Sequence, residues 1–249
     1  MLYQTKIKVR YSEAERGGKA GLFQLLQYFQ DLATFQSYDF GFGVYEECMK
    51  DRAWFLLAYD IKIDRYPRMF EEITIRTNPY KIQRAYGYRA FDVLDPEGNV
   101  IVEADSMWVF MNTEKLLPVK VPEELVHSFE KVNEEREDAL KRKFKLQKEV
   151  EWDFADEFDI NRFFLDTNSH VNNAYYALWT ELILPPDAAL SNIRIDYRKA
   201  ALPGDHVTVY TGKCDGMDYI KFENQDGDIL ALQKMEFADQ DAGNKQERT

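Results

Sequence analysis

Two stretches of this chain repeat each other. Ile61-Lys62-Ile63-Asp64, a turn, and Ile73-Thr74-Ile75-Arg76-Thr77 return as Ile193-Arg194-Ile195-Asp196, a turn at Pro203-Gly204-Asp205, and Val207-Thr208-Val209-Tyr210-Thr211. The offset is 132 residues at the first strand and 134 at the second, and the two-residue difference falls in the turn. Apolar and polar residues alternate in each stretch, the period of a strand with one face covered. Arg89–Val93, the turn Asp95-Pro96-Glu97-Gly98-Asn99 and Val100–Phe110 are echoed by Tyr219–Glu223, Asn224-Gln225-Asp226-Gly227-Asp228 and Ile229–Phe237. A chain that runs through the same elements twice folds as two similar units whose exposed edges pair.

Each unit carries a helix ahead of its strands. Leu22, Leu25, Leu26, Phe29, Leu32, Ala33 and Phe35 recur at three- and four-residue steps and form one wide apolar stripe, which Gly41 and Gly43 end. A shorter helical pattern runs from Ala174 to Leu184. A helix followed by curved antiparallel strands is the hotdog layout. The expected class is therefore α+β: a tandem (double) hotdog, with an antiparallel sheet wrapped around two long helices. The expected boundaries are a first repeat at 1–121, a charged linker at 122–148, a second repeat at 149–238 and an unstructured polar tail at 239–249. The linker opens with Pro122 at a first helical position and predicts a helix from Glu123 to about Lys143. Its basic run, Lys141-Arg142-Lys143-Phe144-Lys145, is a surface able to meet an acidic partner, although such runs are most often solvated.

Charge narrows the function classes. The net charge of −12 argues against bulk binding of nucleic acid or of an acidic membrane. The longest apolar run, Ala53 to Tyr59, is far short of the ~20 residues that span a bilayer, and the N-terminus lacks a signal-like apolar core. Two cysteines, Cys48 and Cys214, cannot supply a disulfide framework or a thiolate metal cluster. A cytoplasmic protein with neither metal nor cofactor is the expectation.

The chemistry concentrates in Leu165-Asp166-Thr167-Asn168-Ser169-His170-Val171-Asn172-Asn173. Asp166, Asn168 and His170 fall at every second position, which in an extended run places them on one face. Asn172 and Asn173 stand where a helix N-cap is expected. Asp and Asn alone at such a place read as caps. The imidazole, the side chain best suited to proton transfer near neutral pH, adds the catalytic reading. The first repeat has no counterpart: Ser12 to Gly21 contains neither His nor Asn.

These segments resemble the acyl-acyl-carrier-protein thioesterases. The resemblance runs through Trp54, Asp64-Arg65-Tyr66-Pro67, Ser106-Met107-Trp108-Val109-Phe110-Met111-Asn112, Pro122-Glu123-Glu124, and Leu165 to Asn173 with Tyr176, Trp179 and Glu181. It implies hydrolysis of fatty acyl thioesters of acyl carrier protein by activated water, with Asp166, Asn168 and His170 as catalytic residues. Asn172 and Asn173, at the helix start, would steady the oxyanion. The first repeat would form the acyl pocket, with Phe29, Phe35, Tyr38, Phe40 and Phe42 as candidate lining. Carrier protein is acidic, so Arg65, Arg68, Arg194, Arg198 and Lys199 are candidate docking cations. The pattern departs from the family after Tyr197-Arg198-Lys199. Ala200 and Ala201 stand where plant members carry an acid and a cysteine, leaving that partner absent or supplied from elsewhere, for instance by Asp205. The competing readings are an acyl-CoA thioesterase and a catalytically weak acyl-binding or regulatory hotdog. The internal pairing allows a monomeric pseudo-dimer or a further homodimer.

Overall fold

The structure, a computed structural model, describes residues 2–130, 140–141, 143–146, 150–167, 169–186 and 188–238. The polar-tail expectation, most of the linker and the Asn168 assignment lie outside these residues.

The first half runs β1 (Tyr3–Lys8), α1 (Leu22–Asp39), β2 (Arg52–Ile63), β3 (Glu72–Gln83), β4 (Tyr86–Leu94), β5 (Val100–Asn112), the two-residue β6 (Leu117–Pro118) and α2 (Glu123–Glu130). The second runs β7 (Glu151–Asp159), α3 (Tyr175–Ile183), β8 (Leu190–Tyr197), β9 (His206–Cys214), β10 (Met217–Asn224) and β11 (Ile229–Phe237). All strands join one antiparallel sheet in the order β1-β3-β4-β5-β2-β8-β11-β10-β9-β7, with β6 on β5. The order is symmetric about its centre: β1-β3-β4-β5-β2 on one side matches β7-β9-β10-β11-β8 on the other. The repeat in the sequence is thus a repeat in topology, and β2 joins β8 from Ala58↔Asp196 to Lys62↔Asn192. That junction closes the edge each half would otherwise expose.

The sheet curves around α1 and α3. Leu22, Leu25, Leu26, Phe29 and Leu32 form the fully buried stripe of α1. Phe29 stacks on Phe91 of β4 at 4.7 Å and leans on Tyr59 of β2 at 6.2 Å. From α3, Tyr176 and Trp179 pack edge-on and tilted against Phe222 of β10 at 5.2 and 6.0 Å. The two helices differ in length, 18 residues against nine, so only one is long. Pro185 and Pro186 follow Leu184 and stop α3, because proline lacks the N–H that another turn needs and disfavours helix at the residue before it.

The linker departs from the expected helix. Helix α2 is described over Glu123–Glu130, residues 131–139 lie outside the described residues, and residues 140–141 and 143–146 carry no regular structure, so the expected helix does not reach Lys143. They lie instead along β8 and β10. The Phe144 N–H donates to Asp196 Oδ2 at 2.8 Å, and the Phe144 ring sits 6.3 Å from Tyr219. Among the described residues no helix is long and apolar enough to cross a membrane.

Candidate active site

Between β7 and α3 the chain does not run extended. Leu165 bridges Val171 antiparallel, so residues 165–167 and 169–171 turn back on each other as the arms of a tight hairpin. The Asp166 N–H donates to the His170 carbonyl at 2.7 Å, and the His170 N–H donates back to Asp166 Oδ1 at 3.1 Å. The Ser169 N–H donates to the Asp166 carbonyl at 3.1 Å, with Ser169 at φ +61. Asp166 and His170 therefore face each other because the hairpin folds them together, and the alternating-face argument is replaced by a turn. Aspartate suits this position, since its short carboxylate reaches backbone amides a few residues on.

His170 is half-buried, its ring 5.7 Å from that of Phe55 on β2 and tilted at 52°. The carboxylate of Asp166 meets the main-chain amide of His170 and so fixes the loop that carries the imidazole. At the helix entry, Asn172 Oδ1 accepts the Ala174 N–H at 2.9 Å, and the Tyr175 N–H donates to the Asn172 carbonyl at 3.0 Å. The Ala174 and Tyr175 amides are thus occupied by Asn172. Tyr197 Oη donates to the Asn173 carbonyl at 3.0 Å and ties the same corner to β8.

The hairpin forms one wall of a cavity of about 950 Å³. Asp166, Ser169, His170, Asn172 and Asn173 line it from the second half; Gln30 and Phe35 of α1, Trp54 and Phe55 of β2, Arg89 of β4 and Phe129 of α2 line it from the first. That mixture follows from the topology, because the β2–β8 junction sets the hairpin of one half over the helix and strands of the other.

Of the five aromatic residues expected to line a pocket, Phe35 and Phe42 do so. The other three are corrections. Phe29 is sealed in the core. Tyr38 is 66% exposed with its ring beneath Gly43, and Phe40 packs against Tyr3 and Phe129 at 6.4 and 5.8 Å. All three share the apolar stripe of α1 or its end, and periodicity alone does not separate core from cavity. Trp54, Phe55 and Arg89 are among the lining residues that the helical stripe did not point to. A signal for Arg89 existed: it shares the inward parity of Gly87 and Phe91 in an alternating strand, where a charge is out of place.

The docking cations are also sorted. Arg194 is buried, its Nη2 2.7 Å and its Nε 2.8 Å from Asp196 Oδ1, and it donates to the Lys141 carbonyl, so it cannot meet a partner. Arg65 is engaged by Glu71 at 2.7 Å and Asp95 at 3.7 Å, and Lys199 pairs with Asp228. Arg198 is half-buried with its Nε enclosed, whereas Arg68 is exposed. Lys141, Lys143 and Lys145 are exposed beside β8.

Ala201 is buried, and its carbonyl accepts the Val171 N–H at 3.2 Å, so this segment abuts the hairpin without lending it a functional side chain. Asp205 does not fill the gap. Its Oδ2 accepts the Leu202 N–H at 2.9 Å within its own turn, away from the cavity lining. Neither Cys48 nor Cys214 lines the cavity.

A second carboxylate site lies at the start of α1. Glu181 of α3 accepts the N–H groups of Leu22 and, at 3.3 Å, of Phe23, capping a helix 159 residues away in sequence. Burial, then the neighbouring Glu15, pushes its carboxyl up to about 8. Gly21 leaves the space these two carboxylates occupy.

Known proteins resemble this chain throughout. The acyl-ACP thioesterase N-terminal domain matches residues 1–129, and the acyl-ACP thioesterase C-terminal domain matches residues 147–248. A chloroplastic acyl-[acyl-carrier-protein] hydrolase of Cuphea viscosissima is 24% identical over 183 residues, covering 64% of this chain and 41% of the relative. The chain thus spans about two fifths of the length of the curated relatives it matches. Among solved structures, an acyl-ACP thioesterase from Bacteroides thetaiotaomicron superposes with TM-score 0.83 at 17% identity, covering 95% of this chain and 98% of that one. The 12:0-ACP thioesterase from Umbellularia californica gives 0.79 at 18% identity, covering 95% and 97%. At these identities the superpositions establish the double-hotdog fold alone. With both family domains matched in order along the chain, the protein belongs to the acyl-ACP thioesterase family.

Proposed function

We propose that the protein hydrolyses fatty acyl thioesters of acyl carrier protein to free acid and carrier protein. The observation that carries this reading is the half-buried His170 beside Asp166 in the wall of a 950 Å³ cavity whose remaining lining mixes aromatic and aliphatic side chains with polar ones. In this reading the acyl chain enters the cavity and the thioester carbonyl stops at the hairpin. His170 takes a proton from water as it attacks the carbonyl carbon, then returns it to the departing thiolate. Asp166 holds the loop that carries the imidazole in register through the His170 main-chain amide. Asn168 positions water or the carbonyl. The side-chain amides of Asn172 and Asn173 receive the developing oxyanion, since the Ala174 and Tyr175 amides are held by Asn172.

Carrier docking falls to Arg68 and to Lys141, Lys143 and Lys145, which are exposed where Arg194 is not. Ala200 and Ala201 favour a second, weaker reading as an acyl-binding protein with slow turnover. A panel of acyl-carrier-protein and acyl-CoA thioesters separates the possibilities. Carrier thioesters should be hydrolysed faster, with a rate that falls steeply as salt screens docking. A flat salt dependence with equal rates would favour CoA substrates, and no turnover with any thioester would favour the binding protein.

A further inference from the structure

One group in the cavity wall has no use for a plain hydrocarbon chain. Arg89 is 7% exposed, and its Nη1 donates to Gln36 Oε1 at 2.5 Å and Thr77 Oγ1 at 3.0 Å. The Phe129 ring covers its face, 5.3 Å from the guanidinium carbon. All three partners are neutral. Among the described residues no carboxylate pairs with Arg89, and its Nε and Nη2 donate no hydrogen bond. Two further polar groups nearby, Gln36 Nε2 and Tyr59 Oη, are buried without partners. Burial pulls the guanidinium down to about 10, which leaves it cationic at neutral pH.

A largely buried cation whose partners among the described residues are all neutral is costly, and a ligand that supplies an acceptor and a charge offsets that cost. The contrast within this chain is direct: Arg194, equally buried, has Asp196. Arg89 lines the same cavity as His170, and that shared lining, not the strand register, connects them. Phe55, which meets His170, stands opposite Val109 and then Tyr86, three residues before Arg89, so the Phe55 and Arg89 side chains leave opposite faces of the pleat. Two strand spacings and three residue steps separate the Phe55 and Arg89 backbones by roughly 14 Å. A chain anchored by its thioester at His170 and running along the cavity brings its distal part to the guanidinium.

We propose that this cavity takes acyl chains carrying an acceptor oxygen on their distal part, as carboxylate or hydroxyl, held by the Nε and Nη2 of Arg89. A carboxylate fits that fork with two parallel hydrogen bonds and supplies the missing charge, and a hydroxyl makes one. The reaction in which such chains are consumed rests on the thioesterase reading; their binding does not.

The test uses the full chain and acyl chains of matched length: plain, ω-hydroxy and ω-carboxy. Each is presented as a carrier-protein thioester for hydrolysis and as a free acid for calorimetric binding. The wild type should favour the ω-carboxy over the plain chain by about 10- to 100-fold in both assays, the range expected of hydrogen bonds to a charged group, with the ω-hydroxy chain between. Arg89→Met should abolish or invert the order, and Arg89→Lys should keep part of it. Equal or better handling of the plain chain by the wild type, with ratios unchanged in both variants, would overturn the proposal. Arg89-dependent binding without hydrolysis would uphold it while refuting the reaction. Hydrolysis of plain thioesters without the preference would do the reverse.

Discussion

Glu181 offers a prediction whose sign and window follow from its surroundings. Its carboxylate caps α1 through Leu22 and Phe23, yet burial first and Glu15 second push its carboxyl from 4.5 to about 8. The folded protein therefore holds a proton here that the unfolded chain releases once the pH passes about 4.5. The stability from this site is fully present below that pH and is lost as pH rises towards 8. At 1.36 kcal/mol per unit, the full shift is worth roughly 5 kcal/mol. Glu181 is only partly enclosed and Glu15 is exposed, so water reaching the ionised pair offsets part of both causes and the expected loss is about 2–3 kcal/mol. Glu181→Gln keeps an oxygen for the Leu22 and Phe23 amides and removes the titration. Urea unfolding of both proteins at intervals from pH 5 to 9 should show the wild type losing stability relative to the variant across that range. Parallel profiles would refute the shared-proton site.

Three further outcomes follow from the packing. Asp196→Asn leaves the Arg194 guanidinium buried without its counter-charge and should cost about 3–5 kcal/mol in chemical unfolding. Arg194→Gln should leave the salt dependence of turnover with acyl carrier protein as in the wild type, and a lost salt slope would return Arg194 to the docking surface. Phe29→Ala should cost about 3–5 kcal/mol with chain-length preference intact, whereas Phe42→Ala should widen the cavity and shift hydrolysis towards longer chains; both are read by thermal unfolding and a substrate ladder.

The repeat made the fold legible because it recorded elements as well as residues. β11 occupies the range that the repeat predicts and β4 encloses its range, and the matching strand orders of the two halves follow from the offset of 132 to 134 residues. Spacing was a poor guide wherever the tertiary structure decides. Asp166 and His170 meet through a hairpin with Ser169 at positive φ, not through strand alternation. Arg194 is a buried partner of Asp196 although its sequence neighbours read as half-exposed strand. Phe29 and Phe42 differ in role because the cavity skirts the end of α1, and a helical stripe has no mark for where a cavity begins. Glu181 caps α1 from across the molecule, a contact no local window contains.

The hairpin that carries Asp166 and His170 is the reaction centre in this reading. That assignment is tested most directly by kcat for a fatty acyl-carrier-protein thioester, measured for the wild type, His170→Ala and Asp166→Ala with the fold of each checked by thermal unfolding. Loss of the general base should lower kcat by about 10²–10⁴-fold in His170→Ala at unchanged stability. Asp166→Ala should lose activity together with the hairpin's order. Wild-type turnover in both variants would contradict the account.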